Sequence, residues 1–134
     1  MAETFELEVA TPERLLVRER VTEAQIPAAK GYIGVRPGHA PLLSALGAGE
    51  LTYVAEGRRR HMALSDGWVE VLADHVRVLA QVAEKADEID VKRAEAALRR
   101  AQDRLSHPDV ALDVARALNA LKRAEARLQA ASKK

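Results

Sequence analysis

Near the start of the chain Phe5, Leu7 and Val9 alternate with Glu6 and Glu8, the two-residue period of a half-buried strand. Thr11-Pro12 breaks that run. Short apolar stretches follow at 15–17, 21–26, 32–35, 51–54, 60–64, 68–72 and 76–80. Between them stand turn signals: Lys30-Gly31, Pro37-Gly38, Gly47-Ala48-Gly49, Glu56-Gly57, Asp66-Gly67 and Ala73-Asp74. Strands at this spacing predict an antiparallel sandwich or flattened barrel, with Trp68 as a core residue on its strand. Nothing before residue 85 is long and helical enough for a βαβ unit.

From Glu88 the period changes. Val91, Ala94, Leu98, Ala101 and Leu105 step by three and four, which places them on one helix face. Ser106-His107-Pro108-Asp109 interrupts the seam, and Ser106 with Asp109 three residues on suits a second helix start. A further seam runs through Ala111, Val114, Leu118, Leu121 and Leu128, with Glu125 where another apolar residue is expected. Two helices joined by so short a loop fold back as an antiparallel hairpin. Its alanines permit close approach but bury little area, so the pair is marginal alone and needs the β domain, a ligand or a partner. The expected class is α+β: a β sandwich over 1–86, then a two-helix hairpin over 87–134.

Composition narrows the function. Length, at 134 residues, allows one ordinary domain with an appendage, and 48% hydrophobic residues suffice for a core. Aromatics, at 3%, are too few for the stacking platforms of single-strand nucleic-acid binders. With no cysteine there is no disulfide, zinc knuckle or thiol nucleophile. The acidic N-terminus does not read as a signal peptide, and no apolar run approaches a membrane span, so direct membrane insertion is not expected. The net charge of +1 conceals an asymmetry. Residues 88–134 carry eleven basic and seven acidic side chains, residues 1–87 ten and thirteen, which suggests two parts with different partners.

Catalytic signals are weak. His39, His61, His75 and His107 lack metal-ligand spacing, and His39 sits in a turn between Pro37 and Pro41. Ser65-Asp66 lacks a nucleophile elbow and reads as a turn before a strand. Arg58-Arg59-Arg60 fits a solvated hairpin tip, with an anion contact as the alternative. The helical arginines offer more. Asp90, Arg93 and Arg100 share a face, Arg123 and Arg127 are four apart, and an antiparallel turn brings 123 near 90–93. Guanidinium groups converging beside one carboxylate suit phosphate recognition; two solvated helix faces are the plainer reading.

The chain also resembles a known family, the epsilon subunit of the bacterial F-type rotary ATP synthase. The resemblance rests on Val9-Ala10-Thr11-Pro12-Glu13-Arg14, Gly34-Val35-Arg36-Pro37-Gly38-His39-Ala40-Pro41-Leu42-Leu43, Asp66-Gly67-Trp68-Val69-Glu70-Val71, Val78-Leu79-Ala80 and Ile89-Asp90-Val91-Lys92-Arg93-Ala94. It covers essentially the whole chain, and in combination and order these segments are specific. It implies a ten-stranded β sandwich with a helical hairpin, no catalysis and no required cofactor. The sandwich would bind the gamma subunit and rest on the c-ring, peripheral to the cytoplasmic side of a bacterial inner membrane. The hairpin would alternate between a folded form and an extended form that inhibits ATP hydrolysis.

In some members the folded hairpin binds ATP as a regulatory ligand, through positions matched here by Glu84, Ile89, Asp90, Arg93, Ala94, Arg100, Arg123 and Arg127. Inhibition would come from Arg116, Lys122, Arg123 and Arg127 facing an acidic segment of the catalytic beta subunits, with alpha alongside. Tyr32 and His39 would lie in the loop facing the c-ring. Two positions depart from the pattern: members often carry a carboxylate where Tyr32 stands, and Gly-Gly where this chain has Asp66-Gly67. Two other function classes remain for the hairpin, a nucleic-acid-binding module and a stand-alone ATP sensor. The first is disfavoured by its interspersed acids.

Overall fold

The computed structural model describes residues 3–107 and 111–132. Eight strands come first: β1 (Phe5–Ala10), β2 (Leu15–Val21), β3 (Glu23–Ala28), β4 (Gly31–Val35), β5 (Leu42–Ala45), β6 (Gly49–Ala55), β7 (Arg58–Val71) and β8 (His75–Lys85). A 3-10 turn at Ala86–Glu88 leads into α1 (Val91–Ser106), and α2 (Val114–Ala131) returns alongside it. The class is the expected α+β, sandwich followed by helical hairpin.

Two details differ from expectation. The described residues form eight strands rather than ten, and one pair, β1 with β8, runs parallel. The hydrogen-bonded order is β2-β1-β8-β7-β6-β3-β4, with β5 also on β7. Long strands explain the lower number. The first half of β7 pairs with β6, its second half pairs with β5, and β8 runs beside it from Met62 to Val71. One strand thus serves both layers. Asp66-Gly67 does not end it: both residues take positive φ, 58° and 137°, and the register with β8 is the same on either side. The pair is a kink within a strand, not a turn between two. Glycine is required there, because a Cβ at Gly67 would lie 1.9 Å from the carbonyl oxygen of Leu79. The two-residue tip Glu56-Gly57, with φ of 51° and 75°, is a true hairpin turn between β6 and β7.

Between the layers lie Phe5, Leu7, Val9, Ile26, Leu51, Met62, Val69, Val71, Val76 and Val78, all buried. Trp68 is not among them. Val69 and Val71 take the inward positions of β7, so alternation turns Trp68 outward, where it is 57% exposed. It stands directly across from Leu79, 52% exposed, and Leu43 on β5 adds a third large apolar side chain at 68%.

Helix α2 is the element that meets the sheet, through β6 and β7, while α1 packs mainly on α2. The second seam differs from the expected one. Ala117, Ala124, Ala126, Ala130 and Ala131 are buried, Leu121 and Leu128 half-buried, and Val114 and Leu118 exposed. A helix wedged between another helix and a sheet presents two faces, and alanines let both neighbours close in. The helix starts also differ. Ser106 belongs to the last turn of α1 and donates to the Gln102 carbonyl (2.8 Å), whereas Asp113 caps α2 by accepting from the Arg116 amide (3.0 Å). Pro108 and Asp109, the remainder of the expected start, lie outside the described residues.

Candidate functional site

The outward face of β6 and β7 under α2 carries Glu50, Thr52, His61, Ala63 and Ser65, since Leu51, Met62 and Leu64 point into the sandwich. All five are buried or nearly so. The buried apolar residues joining hairpin and sheet form one small cluster of Ala63, Ile89, Ala126, Ala130 and Ala131 among the described residues. The remainder is polar: His61 Nδ1 lies 3.2 Å from a Glu50 carboxylate oxygen, and the Glu50 amide donates to the Tyr32 hydroxyl (3.2 Å).

Beside this contact a cleft of about 310 Å³ opens between sheet and hairpin, lined by Ala63, Leu64, Ser65, Val82, Glu84, Arg93, Arg123 and Arg127. Glu84 on β8 and Arg127 on α2 join across it. Arg127 Nη2 donates to Oε2 at 3.2 Å, and Nε approaches Oε1 to 2.8 Å. A second hollow of about 250 Å³ lies between the helices, with Arg100, Arg104, Arg123 and Arg127 above a floor of Ala97, Ala101, Ala120 and Ala124. Arg123 and Arg127 border both spaces, so cleft and hollow adjoin.

Of the positions carried over from the resemblance, Glu84, Arg93, Arg123 and Arg127 line the cleft, and Arg100 lines the adjoining hollow. The other three sit in the fabric around it. Ile89 is buried in the apolar cluster, Ala94 is fully buried in α1, and the Asp90 carboxylate caps α1 by accepting from the Arg93 amide (3.1 Å). Arg104 joins the lining without having been singled out, and Ser65, expected only in a turn, joins it from within β7. Arg104 was legible as one helical turn beyond Arg100; Ser65 could be placed only once α2 was known to cover β7.

Arg116 and Lys122 are exposed on α2, as is Arg123, while Arg127 is half-buried against Glu84. Tyr32 is not in a loop: it pairs with Pro27 in the β3–β4 ladder and is exposed at its rim. His39 is in the following loop, its Nδ1 2.6 Å from the Ala40 carbonyl oxygen, and borders a different hollow from Tyr32.

Arg59, from the basic triplet, is engaged by Glu23 (2.9 Å), and Arg60 faces Tyr53, whose hydroxyl is pushed up to about 12 by burial and by the nearby Glu19 carboxylate. The fold gathers Glu6, Glu8 and His75, which sequence spacing did not show, but Arg18 and Arg77 already pair with those carboxylates. At the joint between sheet and hairpin, Arg14 forks onto Glu88 with two bonds of 2.8 Å. The Arg14 hydrogen bonds, aided by the Lys85 amide, hold the Glu88 carboxyl down at about 2.

Comparison with known proteins accounts for the whole chain. Residues 4–86 match the family model described as ATP synthase, Delta/Epsilon chain, beta-sandwich domain, and residues 87–132 match its long alpha-helix domain. A relative from Solibacter usitatus (strain Ellin6076), named ATP synthase epsilon chain, is 61% identical over 134 residues, covering 100% of both chains. Another of that name, from Koribacter versatilis (strain Ellin345), is 50% identical across 78% of this chain and 74% of its own. Among solved structures, a chain of the Euglena gracilis mitochondrial ATP synthase (OSCP/F1/c-ring, rotational state 1) superposes with a TM-score of 0.81 at 26% identity, covering 96% of this chain and 81% of that one. Similarity on this scale, over both parts in the same order, shows that the chain belongs to the epsilon-chain family of ATP synthases.

Proposed function

We propose that this non-catalytic subunit of the ATP synthase central stalk divides the work of coupling and regulation between its two parts. The sandwich binds the gamma subunit and rests on the c-ring. Its exposed Trp68, Leu79 and Leu43 suit the first contact, because a monomer rarely leaves large side chains clustered in water unless a partner covers them. Among the described residues no helix is long and apolar enough to cross a membrane, and the subunit is held peripherally, on the cytoplasmic side, through those partners.

The hairpin is the regulatory part: docked on the sandwich it is permissive, and extended it inhibits hydrolysis. The observation that carries this reading is the composition of the docking face. When α2 leaves, the sheet uncovers Glu50, Thr52, His61 and Ser65, which water solvates well, and the buried apolar cluster that opens is one isoleucine and four alanines. A permanent interface would bury larger side chains. Extended, the helix offers Arg116, Lys122, Arg123 and Arg127 to acidic surfaces of the catalytic beta subunits, with alpha alongside. Exposed pairs contribute only about 0–1 kcal/mol each, so inhibition depends on several together.

ATP in the arginine-lined cleft would hold the docked form. A ligand that binds only that form stabilises it by about 2.7 kcal/mol at a hundred times its dissociation constant, enough to decide a marginal equilibrium. Two measurements test the proposal. Reconstituted with the catalytic subunits, the variant with all four basic residues changed to alanine should lose inhibition of hydrolysis while single changes do little; undiminished inhibition refutes the charge mechanism. Calorimetry on the isolated chain should detect ATP binding that Arg93→Ala and Arg127→Ala weaken. Absence of heat at millimolar ATP refutes the ligand.

A further inference from the structure

Among the described residues that line the cleft, Ser65 is a buried one whose hydroxyl is not engaged. It lies on the outward face of β7, 2% exposed, and its hydroxyl finds no hydrogen-bond partner among the described residues. Buried hydroxyls in native structures are nearly always partnered, because water would otherwise hold them better than protein does. Alanine would fit this strand as well, and Ala63, two residues earlier on the same face, shows that the helix tolerates it. A serine here is placed to engage whatever occupies the cleft.

The surroundings say which end of an anionic ligand that is. In the β7–β8 ladder Ser65 faces Val82, and Ala63 faces Glu84, so the hydroxyl lies diagonal to a carboxylate. A phosphate on this floor would compete with the Glu84 carboxylate for Arg127. The arginines all come from the helices: Arg93, Arg123 and Arg127 line the cleft on its far side from the strand, and Arg100 and Arg104 join Arg123 and Arg127 in the adjoining hollow. Charge therefore directs a ligand's anionic end toward the helices and its uncharged, hydrogen-bonding end toward the strand. There Ser65 can donate and accept, and Val82 offers an apolar surface.

Resting on the reading of the cleft as a nucleotide site, the geometry points to Ser65 as the residue that hydrogen-bonds the nucleoside end of the nucleotide, making the strand face a reader of that end and not only a backing for the arginines. The hydroxyl gains its partner only when ligand is bound and the hairpin docked. One side chain then couples occupancy to docking.

Calorimetry on the full chain tests this with two probes, ATP and inorganic tripolyphosphate, which keeps the anionic end and lacks the nucleoside. Ser65→Ala should weaken ATP by about tenfold, the loss of one hydrogen bond, and leave tripolyphosphate unchanged. Arg123→Ala should weaken both. Without ligand, Ser65→Ala should melt no lower than the parent, because it removes an unpaired group. ATP binding by Ser65→Ala within twofold of the parent overturns the inference while leaving the nucleotide site standing. Equal weakening of both probes, or a lower melting temperature without ligand, also overturns it, by assigning Ser65 to the anion or to the fold. A parent chain that binds neither probe removes the nucleotide reading itself and this inference with it.

Discussion

Changing Glu84 to Gln tests whether the hairpin is held by a few polar contacts. Glu84 sits on β8 and Arg127 on α2, so their pair crosses the joint between sheet and hairpin. Their side chains are 25% and 23% exposed, a state between surface pairs, which contribute about 0–1 kcal/mol, and buried ones, whose breaking costs about 3–5 kcal/mol. Glutamine keeps the shape and one acceptor, so the expected loss is about 2 kcal/mol, close to thirtyfold in the docking equilibrium. Hydrogen exchange on the intact chain, read by mass spectrometry, should show α2 amides losing protection by about that factor while β1 and β2 keep theirs. Arg127→Gln should have a similar effect, and the double variant should add little to either single one, as expected for one shared interaction. In the assembled enzyme Glu84→Gln should favour the extended hairpin and deepen inhibition. The reasoning fails if α2 protection changes by less than about threefold, or if protection falls equally across the sandwich.

Four further outcomes are expected. Gly67→Ala would force a Cβ onto the Leu79 carbonyl at a φ of 137°, and should cost more than about 4 kcal/mol in urea unfolding, whereas Gly57→Ala, in open space at a hairpin tip, should cost about 1–2 kcal/mol. Glu88, held at about 2 against an ordinary 4.5, contributes stability that is complete above pH 4.5 and lost as the pH falls toward 2. With its side chain 36% exposed, screening reduces the effect to about 1 kcal/mol, and Glu88→Gln should flatten the acid limb of a stability profile by that amount. Asp113→Ala should reduce the helicity of α2 by circular dichroism, at a cost of about 1 kcal/mol, without disturbing the sheet. Deleting residues 88–134 should leave a folded sandwich that still retains gamma, as judged by co-purification.

The sequence disclosed the two parts through the change of period near Glu88, and it brought Arg123 near Arg93 through the bare requirement that two closely linked helices run antiparallel. What it obscured has definite causes. Trp68 and Val69 are adjacent and both apolar, so the pattern alone could not say which points inward; the answer depends on which layers β7 joins. Asp66-Gly67 carries turn chemistry, but a kink needs the same positive φ as a turn, and only the unbroken β8 partner tells them apart. In α2 large leucines suggested the seam, yet close approach to two neighbours favours alanine. Asp90 illustrates a further limit. Its spacing to Arg93 suggested a ligand contact, and the same spacing is that of a helix cap.

That cap has a mechanical consequence. Asp90 and Asp113 each terminate their helices with groups belonging to the hairpin itself, so neither helix start depends on the sheet. Glu88, in contrast, is clamped to the sandwich by Arg14. Between that clamp and α1 lie only Ile89 and Asp90, both with extended backbone (φ −78°, ψ 127° and φ −81°, ψ 100°). Under the proposed regulation the hairpin would lift as two ready-made rods, with Ile89 leaving its alanine socket as the latch that must first open.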